Sequence, residues 1–299
     1  MLRALLVSFA ILAVSSSLCA AEKPAQAVNS QNDVRNATRN EQPSPQSNSA
    51  AGSSSGEDSA AENELLAAAN RNRELAGVPA LRMDESLREA AREHARRMIA
   101  SEHLEHQLAG EPALLDRIAQ VSPLKMDRAG ENLAYATCAP DANEALMRSA
   151  PHRHNLLDRG FNIAGVAAIW SKGRLYVVQN FAHEVPSYSA QQSAALVSRA
   201  VDEVRQQAGL PELEPLTPPN LDKASCSLAA ESRPNARLLA TAYDNRKIIT
   251  YTQSRPEVLP PGALRLLRDP GVRQFAVGAC YARNAAYPTG MYWVVILLY

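Results

Sequence analysis

The pattern Arg-x-x-Ala-Gly-x-Pro-x-Leu occurs twice, at Arg73 to Leu81 and at Arg205 to Leu213. Gly at a helix C-terminal cap with Pro just beyond ends a helix, because Gly accepts the left-handed turn and Pro cannot continue the ladder. Helical spacing precedes both copies: Leu65, Leu66, Ala69 and Leu75 within Glu62 to Ala76, then Ala195, Val197, Ala200, Val201 and Val204 from near Gln191. A second apolar helix follows each. Asp84 caps the first, which runs to about Ala100 with Leu87, Ala90, Ala91, His94, Ala95 and Met98 on one stripe; Leu221 to Ala229 forms the other. Apolar strand pairs close both blocks: Phe161–Trp170 with Arg174–Ala182 around Ser171-Lys172-Gly173, and Val277–Ala282 with Tyr292–Ile296. The chain therefore reads as two α+β blocks, 61–186 and 190–299. The second is either a shrunken copy of the first or an unrelated module whose turn arose by chance. Between the matched ends the two differ.

Ahead of these blocks, residues 1–21 read as a secretory signal: Arg3, then an apolar run from Leu5 to Val14 broken only by Ser8, then Cys19-Ala20-Ala21 as a small-x-small cleavage site. The run is too short for the roughly 20 residues of a spanning helix. Residues 22–60 are Asn, Gln, Ser, Ala, Pro and Gly with almost no large apolar side chain, the composition of a disordered linker. The segment 101–130 shows turn residues and only local order, and Asp141 to Arg148 a short helix. An export signal implies a periplasmic or extracellular location, where disulfides form.

Overall charge is balanced, 31 Lys+Arg against 31 Asp+Glu, which argues against a nucleic-acid binder. Residues 233–299 alone hold nine Lys/Arg and three Asp/Glu. Their scatter fits a solvated surface or contacts to the first block; attraction to anionic lipid or cell-wall polymer is the sharper alternative.

All six histidines lie between 94 and 183. His94 falls on the apolar face of its helix and reads as a core histidine bonded to a carbonyl. His103-Leu104-Glu105-His106 is neither His-Glu-x-x-His nor its inverse, so the metalloprotease motif is absent, and no Gly-x-Ser-x-Gly elbow places a nucleophile.

Several fragments then stand in order. They are Asn70-x-x-Arg73 with Ala76-Gly77-Val78-Pro79, Leu87-x-x-Ala90-Ala91-x-x-His94-Ala95-x-x-Met98, His106, Gly130-Glu131-Asn132-Leu133-Ala134, Ser149-x-Pro151-His152-Arg153-x-Asn155-Leu156-Leu157, Gly165-Val166-Ala167, and Tyr176-Val177-Val178-Gln179-Asn180-Phe181. Together they resemble the CAP superfamily of secreted proteins (cysteine-rich secretory, antigen 5 and pathogenesis-related 1 proteins), specifically its bacterial branch. The resemblance implies an α-β-α sandwich, with a small antiparallel sheet between helices. It also implies a cleft of two His and two Glu. The first His is His106, with His103 as rival; the Glu of the Gly-Glu-Asn run is Glu131; the second His is His152. Where the second Glu is expected, this chain has Ser149. Gln179 lies on the closing strand beside the cleft, and alternation leaves open whether it or Asn180 faces the helices. Arg153 and Asn155 read as fixing a turn and capping a helix.

Two neutral imidazoles and a carboxylate suit Zn²⁺ or another divalent metal with an open position, or acid–base work near neutral pH. They also suit a purely structural network. The preferred expectation is a non-catalytic module binding a small ligand, a lipid, an envelope component or a metal through His106, Glu131, His152, Ser149 and Gln179. A metal- or water-assisted hydrolase and an envelope scaffold with a vestigial cleft are the alternatives. Signal removal leaves Cys138, Cys226 and Cys280. In the copy reading Cys226 and Cys280 sit on facing helix and strand and pair, leaving Cys138 as the odd thiol.

Overall fold

The computed structural model describes residues 56–232, 237–240, 243 and 247–299. The expected signal, and the expected linker up to residue 55, lie outside these residues.

The first unit comprises β1 (Gly56–Glu57), α1 (Ser59–Leu75), β2 (Arg82–Met83), α2 (Glu85–Ser101), α3 (Leu114–Val121), β3 (Met126–Ala136), α4 (Ala139–Arg148), α5 (Ala150–Leu157), β4 (Ile163–Ser171) and β5 (Arg174–Glu184). The second comprises α6 (Ala190–Gln207), β6 (Glu214–Pro215), α7 (Leu221–Ala230), α8 (Arg237–Ala240), β7 (Lys247–Gln253), α9 (Pro261–Leu267), β8 (Gln274–Asn284) and β9 (Tyr287–Leu298).

Local chemistry sets the helix ends. Asp84 accepts from the backbone of Ser86 and Leu87 and so caps α2. Ser189 and Gln192 form a reciprocal capping box on α6. Gly77 and Gly209, with φ of 65° and 66°, end α1 and α6 as the repeated turn requires.

In the first sheet β4 pairs antiparallel with β5, and β5 with β3, while the two-residue β2 adds in parallel to β4. In the second, β8 pairs antiparallel with β9, and β9 with β7, while the two-residue β6 adds in parallel to β8. Helices cover both faces of each. On the first sheet, α2 packs Ala91, Ala95 and Met98 against Leu133, Ala167 and Val178. From the other side α1, α4 and α5 bring Leu65, Leu146 and Leu156 onto Val166, Val177 and Phe181. On the second sheet, α6 and α9 cover Val294 and Ile296. Across that sheet α7 covers Trp293 and Val295. The first unit is thus the expected α-β-α sandwich, and a second sheet unit follows it.

The Arg of the repeated turn explains its own position. Arg73 is fully buried and spends its guanidinium on four carbonyls: Pro79 (2.7 Å), Leu156 (2.9 Å), Asp158 (3.0 Å) and Phe161 (2.9 Å). Arg205 does the same with Pro211 (3.0 Å), Leu267 (3.0 Å), Asp269 (2.8 Å) and Val272 (3.5 Å). Each ties the end of the first helix to the segment leading into the hairpin. Close approach is matched as well. A Cβ on Gly165 would stand 2.1 Å from the Leu87 backbone of α2, and one on Gly278 2.6 Å from that of Leu221 on α7.

Cys226 on α7 and Cys280 on β8 form a disulfide, with Cα atoms 5.2 Å apart and a sequence separation of 54. Closing such a loop is worth about 4 kcal/mol in the chain-entropy model.

Three expectations are corrected. Cys138 is not an odd thiol: it is disulfide-bonded, and no cysteine among the described residues is free. Residues 56–60 are not linker, because β1 pairs with Ile169 and Trp170 and α1 starts at Ser59. The segment 101–130 is not merely local order, since it holds α3 and the start of β3. Gly-Glu-Asn lies inside that strand, whose mixed polar pattern hides the strand period. No helix among the described residues is long and apolar enough to cross a membrane.

Arg73→Ala removes the donor to four carbonyls, two of those bonds being buried. It should cost roughly 3–5 kcal/mol, read from the urea midpoint. Arg73→Lys should recover only a fraction, since an ammonium lacks the planar fork.

Candidate functional site

The site forms where α2, α3 and α5 meet the edge strand β3. Glu131 and Asn132 are neighbours on β3, so their side chains leave on opposite faces of the sheet. Their cross-strand partners are Asn180 and Gln179 respectively. Both faces bear helices, which settles the open question at that pair. Asn180 shares the α2 face with Glu131; with its amide turned to satisfy both ends it donates to Glu131 Oε2 (3.3 Å). Gln179 shares the other face with Asn132 and accepts from its Nδ2 (3.3 Å).

On the α2 side lies a network of five charged or titratable side chains. His106 Nδ1 contacts Glu131 Oε1 (2.9 Å), and its Nε2 makes no hydrogen bond to a described residue. Arg117, on α3, donates to Glu131 Oε2 (2.8 Å), to Glu111 Oε1 (3.4 Å) and to the His106 carbonyl (3.2 Å). His94 lies between Glu111 Oε1 (2.8 Å, Nδ1) and the Glu105 carbonyl (3.0 Å, Nε2), with Nε2 also 3.9 Å from Glu131 Oε1. Its carbonyl bond is the expected one. Its carboxylate bond was not expected, and makes it part of the site rather than plain core. The Glu131 and Glu111 side chains are 3 % and 2 % exposed, so the Arg117 charge offsets a large desolvation cost.

On the other side α5 caps the β3 edge. Asn155 donates to the Glu131 carbonyl (3.1 Å) and to Asn132 Oδ1 (3.0 Å), and Asn132 donates to the His152 carbonyl (3.0 Å). Asn155 is therefore a clasp between helix and strand, not a cap. Arg153 is exposed and donates to the Met147 carbonyl. His152 is only 7 % exposed, and among the described residues no group hydrogen-bonds to its ring. Burial, with the nearby His106 charge adding to it, pushes its pKa below the ordinary 6.5. Ser149 Oγ and Gln179 Nε2 are likewise buried without a partner.

Of the residues named from sequence, the structure joins His106 to Glu131 directly. It sets His152 close enough to feel His106, links Gln179 to His152 through Asn132, and puts Ser149 three residues before His152 at the start of α5. The rival His103 is exposed and lines a hollow of about 550 Å³ with Arg97, Ser101 and Glu111. Glu111 and Arg117 were missed. The available signal was a Glu just ahead of a short helix, and an Arg within it, soon after the histidine pair.

These elements match the family model of the cysteine-rich secretory proteins, or CAP domain, over residues 28–181, just over half of the chain. The chain belongs to this family. A search of the curated proteins finds no match. Among solved structures, an extracellular SCP-domain protein of Bacillus anthracis is similar at 24 % identity and a TM-score of 0.38; the match covers 42 % of this chain and 41 % of that one. An outer surface protein of Borrelia burgdorferi gives 17 % identity and a TM-score of 0.41, covering 44 % and 100 %. A cysteine-rich secretory protein of Staphylococcus aureus gives 20 % identity and a TM-score of 0.35, covering 42 % and 38 %. This chain thus spans well under half the length of the Bacillus and Staphylococcus proteins.

The expected donor set of the CAP cleft can be tested for a metal. Both Glu131 oxygens are already engaged, by His106 and by Arg117. Among the described residues no group of three or more His, Cys, Asp or Glu could hold a metal ion. Glu131 orients His106 instead, as a carboxylate behind a ligating imidazole does, so a three-ligand His/Glu/His site does not fit.

The His152 shift carries a sign. Below about pH 6.5 the unfolded chain takes up a proton that the folded ring resists, so stability falls as pH drops from 6.5 toward the lowered folded pKa. Urea midpoints across that window should decline in the native protein, and His152→Gln should flatten that part of the slope.

Proposed function

We propose that this chain is an exported, non-catalytic CAP-domain protein that binds a small polar ligand between His106 and His152. The observation that carries this reading is the His152 ring, 7 % exposed and without a hydrogen bond to any described residue. A neutral imidazole has one donor and one acceptor, and neither His152 ring nitrogen is among the fully enclosed unpartnered atoms, so a ligand or water can reach them. Ser149 Oγ and Gln179 Nε2, buried and unpartnered around the same helix, add to the argument. The Nε2 of His106, on a ring that Glu131 holds at Nδ1, supplies a second contact.

Candidate ligands are a small molecule, a lipid headgroup or an envelope component rather than nucleic acid. The Glu131–His106 bond favours a second reading, in which the two imidazoles hold a divalent metal with Glu131 behind His106. A hydrolase is less well supported: Ser149 Oγ has no hydrogen bond to a base, so the cleft lacks an activated nucleophile. Export to the periplasm or beyond agrees with the secretory family and with the disulfide-bonded Cys138, Cys226 and Cys280.

The second unit is best read as a degenerate copy that lost the cleft. The matched arginine clasps align α9 with α5, which puts the buried Ala263 where α5 has His152. Seven residues beyond the leucine on its glycine, α2 has His94 and α7 has Leu228. Strand β9 turns Tyr292, Val294, Ile296 and Leu298 to the face where β5 has Gln179.

Native mass spectrometry of the exported protein should show a bound adduct, organic or metal, that His152→Leu reduces at least tenfold. Equal adduct in both proteins, or none in either, would count against the cleft. Casein and peptidoglycan turnover should stay at background for the wild type and for Glu131→Gln alike.

A further inference from the structure

The second unit grips the segment that carries Arg117. Arg283, on β8, donates to the carbonyls of Ala119 (3.1 Å), Ser122 (2.8 Å) and Leu124 (3.1 Å). Ala119 lies in the last turn of α3 and Ser122 is its C-cap. A helix end leaves carbonyls unpaired and carries partial negative charge, so a guanidinium there meets both needs. Two further contacts follow. The Lys125 ammonium lies 3.9 Å from the centre of the Tyr281 ring and 3.2 Å from Tyr292 Oη. Thr289 Oγ1, buried, donates to the Met126 carbonyl (3.0 Å).

Eight residues of helix hold little stability of their own, so packing and end contacts decide where α3 sits. Its Arg117 is the cation shared by the buried Glu111 and Glu131, and it also holds the His106 carbonyl. A contact chain therefore runs from β8 and β9, through the C-terminal end of α3, to Arg117, Glu131 and His106.

We infer that the second unit is a brace for the cleft, with Arg283 and Thr289 as positioning residues that act through α3 on the Arg117–Glu131–His106 set. This assigns the second unit a role that its apolar interior leaves open, and it stands whether or not the cleft proves to bind the proposed ligand.

The test uses the full chain, with histidine rings read by ¹H–¹³C NMR and α3 by amide exchange. In Arg283→Ala combined with Thr289→Val, exchange over residues 114–121 should rise at least fivefold. The His106 ring peak should move toward its position in Arg117→Met, while the exposed His154 stays in place. Arg283→Lys, which keeps a cation at the helix end, should restore part of both changes. If the double variant does not fold, Arg283→Ala, which alters one exposed side chain, is read by the same criteria. Wild-type exchange in α3, or faster exchange with an unmoved His106 peak, would overturn the inference.

Discussion

A buried guanidinium on four carbonyls is the interaction on which the first unit depends. Arg73 leaves the end of α1 and holds the carbonyls of Leu156 and Asp158, where α5 ends, and that of Phe161, just before β4 begins. Burial pushes its pKa below the ordinary arginine range, but not far enough to take the charge off near neutral pH. Such a group is satisfied only if the loops stay where they are. The consequence reaches the cleft, because the helix whose end it fixes also carries Ser149, His152 and Asn155. Asn155 then clasps β3 at Glu131. The fold and the site share one anchor.

We read the second unit as a degenerate copy of the first, in which the same anchor persists without the site. Arg205 keeps the full set of four carbonyls, yet the positions matching the polar cleft are occupied by core residues such as Ala263 and Leu228. Burial of apolar side chains at about 25 cal/mol per Å² favours such a change wherever no ligand needs the polar groups. Around α5 the first unit retains Ser149 Oγ and Gln179 Nε2 buried and without partners, at a cost in stability.

Much of this was legible in the chain. The turn at Ala-Gly-x-Pro announces its own geometry, and the three- and four-residue spacing of α2 leaves little choice. Cys226 and Cys280 could be paired once helix and strand were placed face to face. Other features hid for physical reasons. Strand β3 buries residues on both faces and carries Glu131 and Asn132 in its middle, so it lacks the alternation of a half-buried strand. Helix α5 is eight residues with Pro151 near its start, and its His152-Arg153-His154 run looks like a turn. Glu111 and Arg117 could not be assigned to the site because Arg117 joins Glu111 to Glu131, on a different element, only through the packing of α3. Cys138 looked odd because three cysteines follow the expected signal, an uneven count.

The central claim is that the His152 ring meets a ligand that the protein itself does not supply. It is tested most directly by ¹⁵N spectra of labelled histidine rings, recorded on the exported full-length protein before and after stripping by denaturation and refolding. The account predicts that the His152 and His106 ring nitrogens shift between the two samples while His154 does not. Identical His152 signals in the two samples would contradict it.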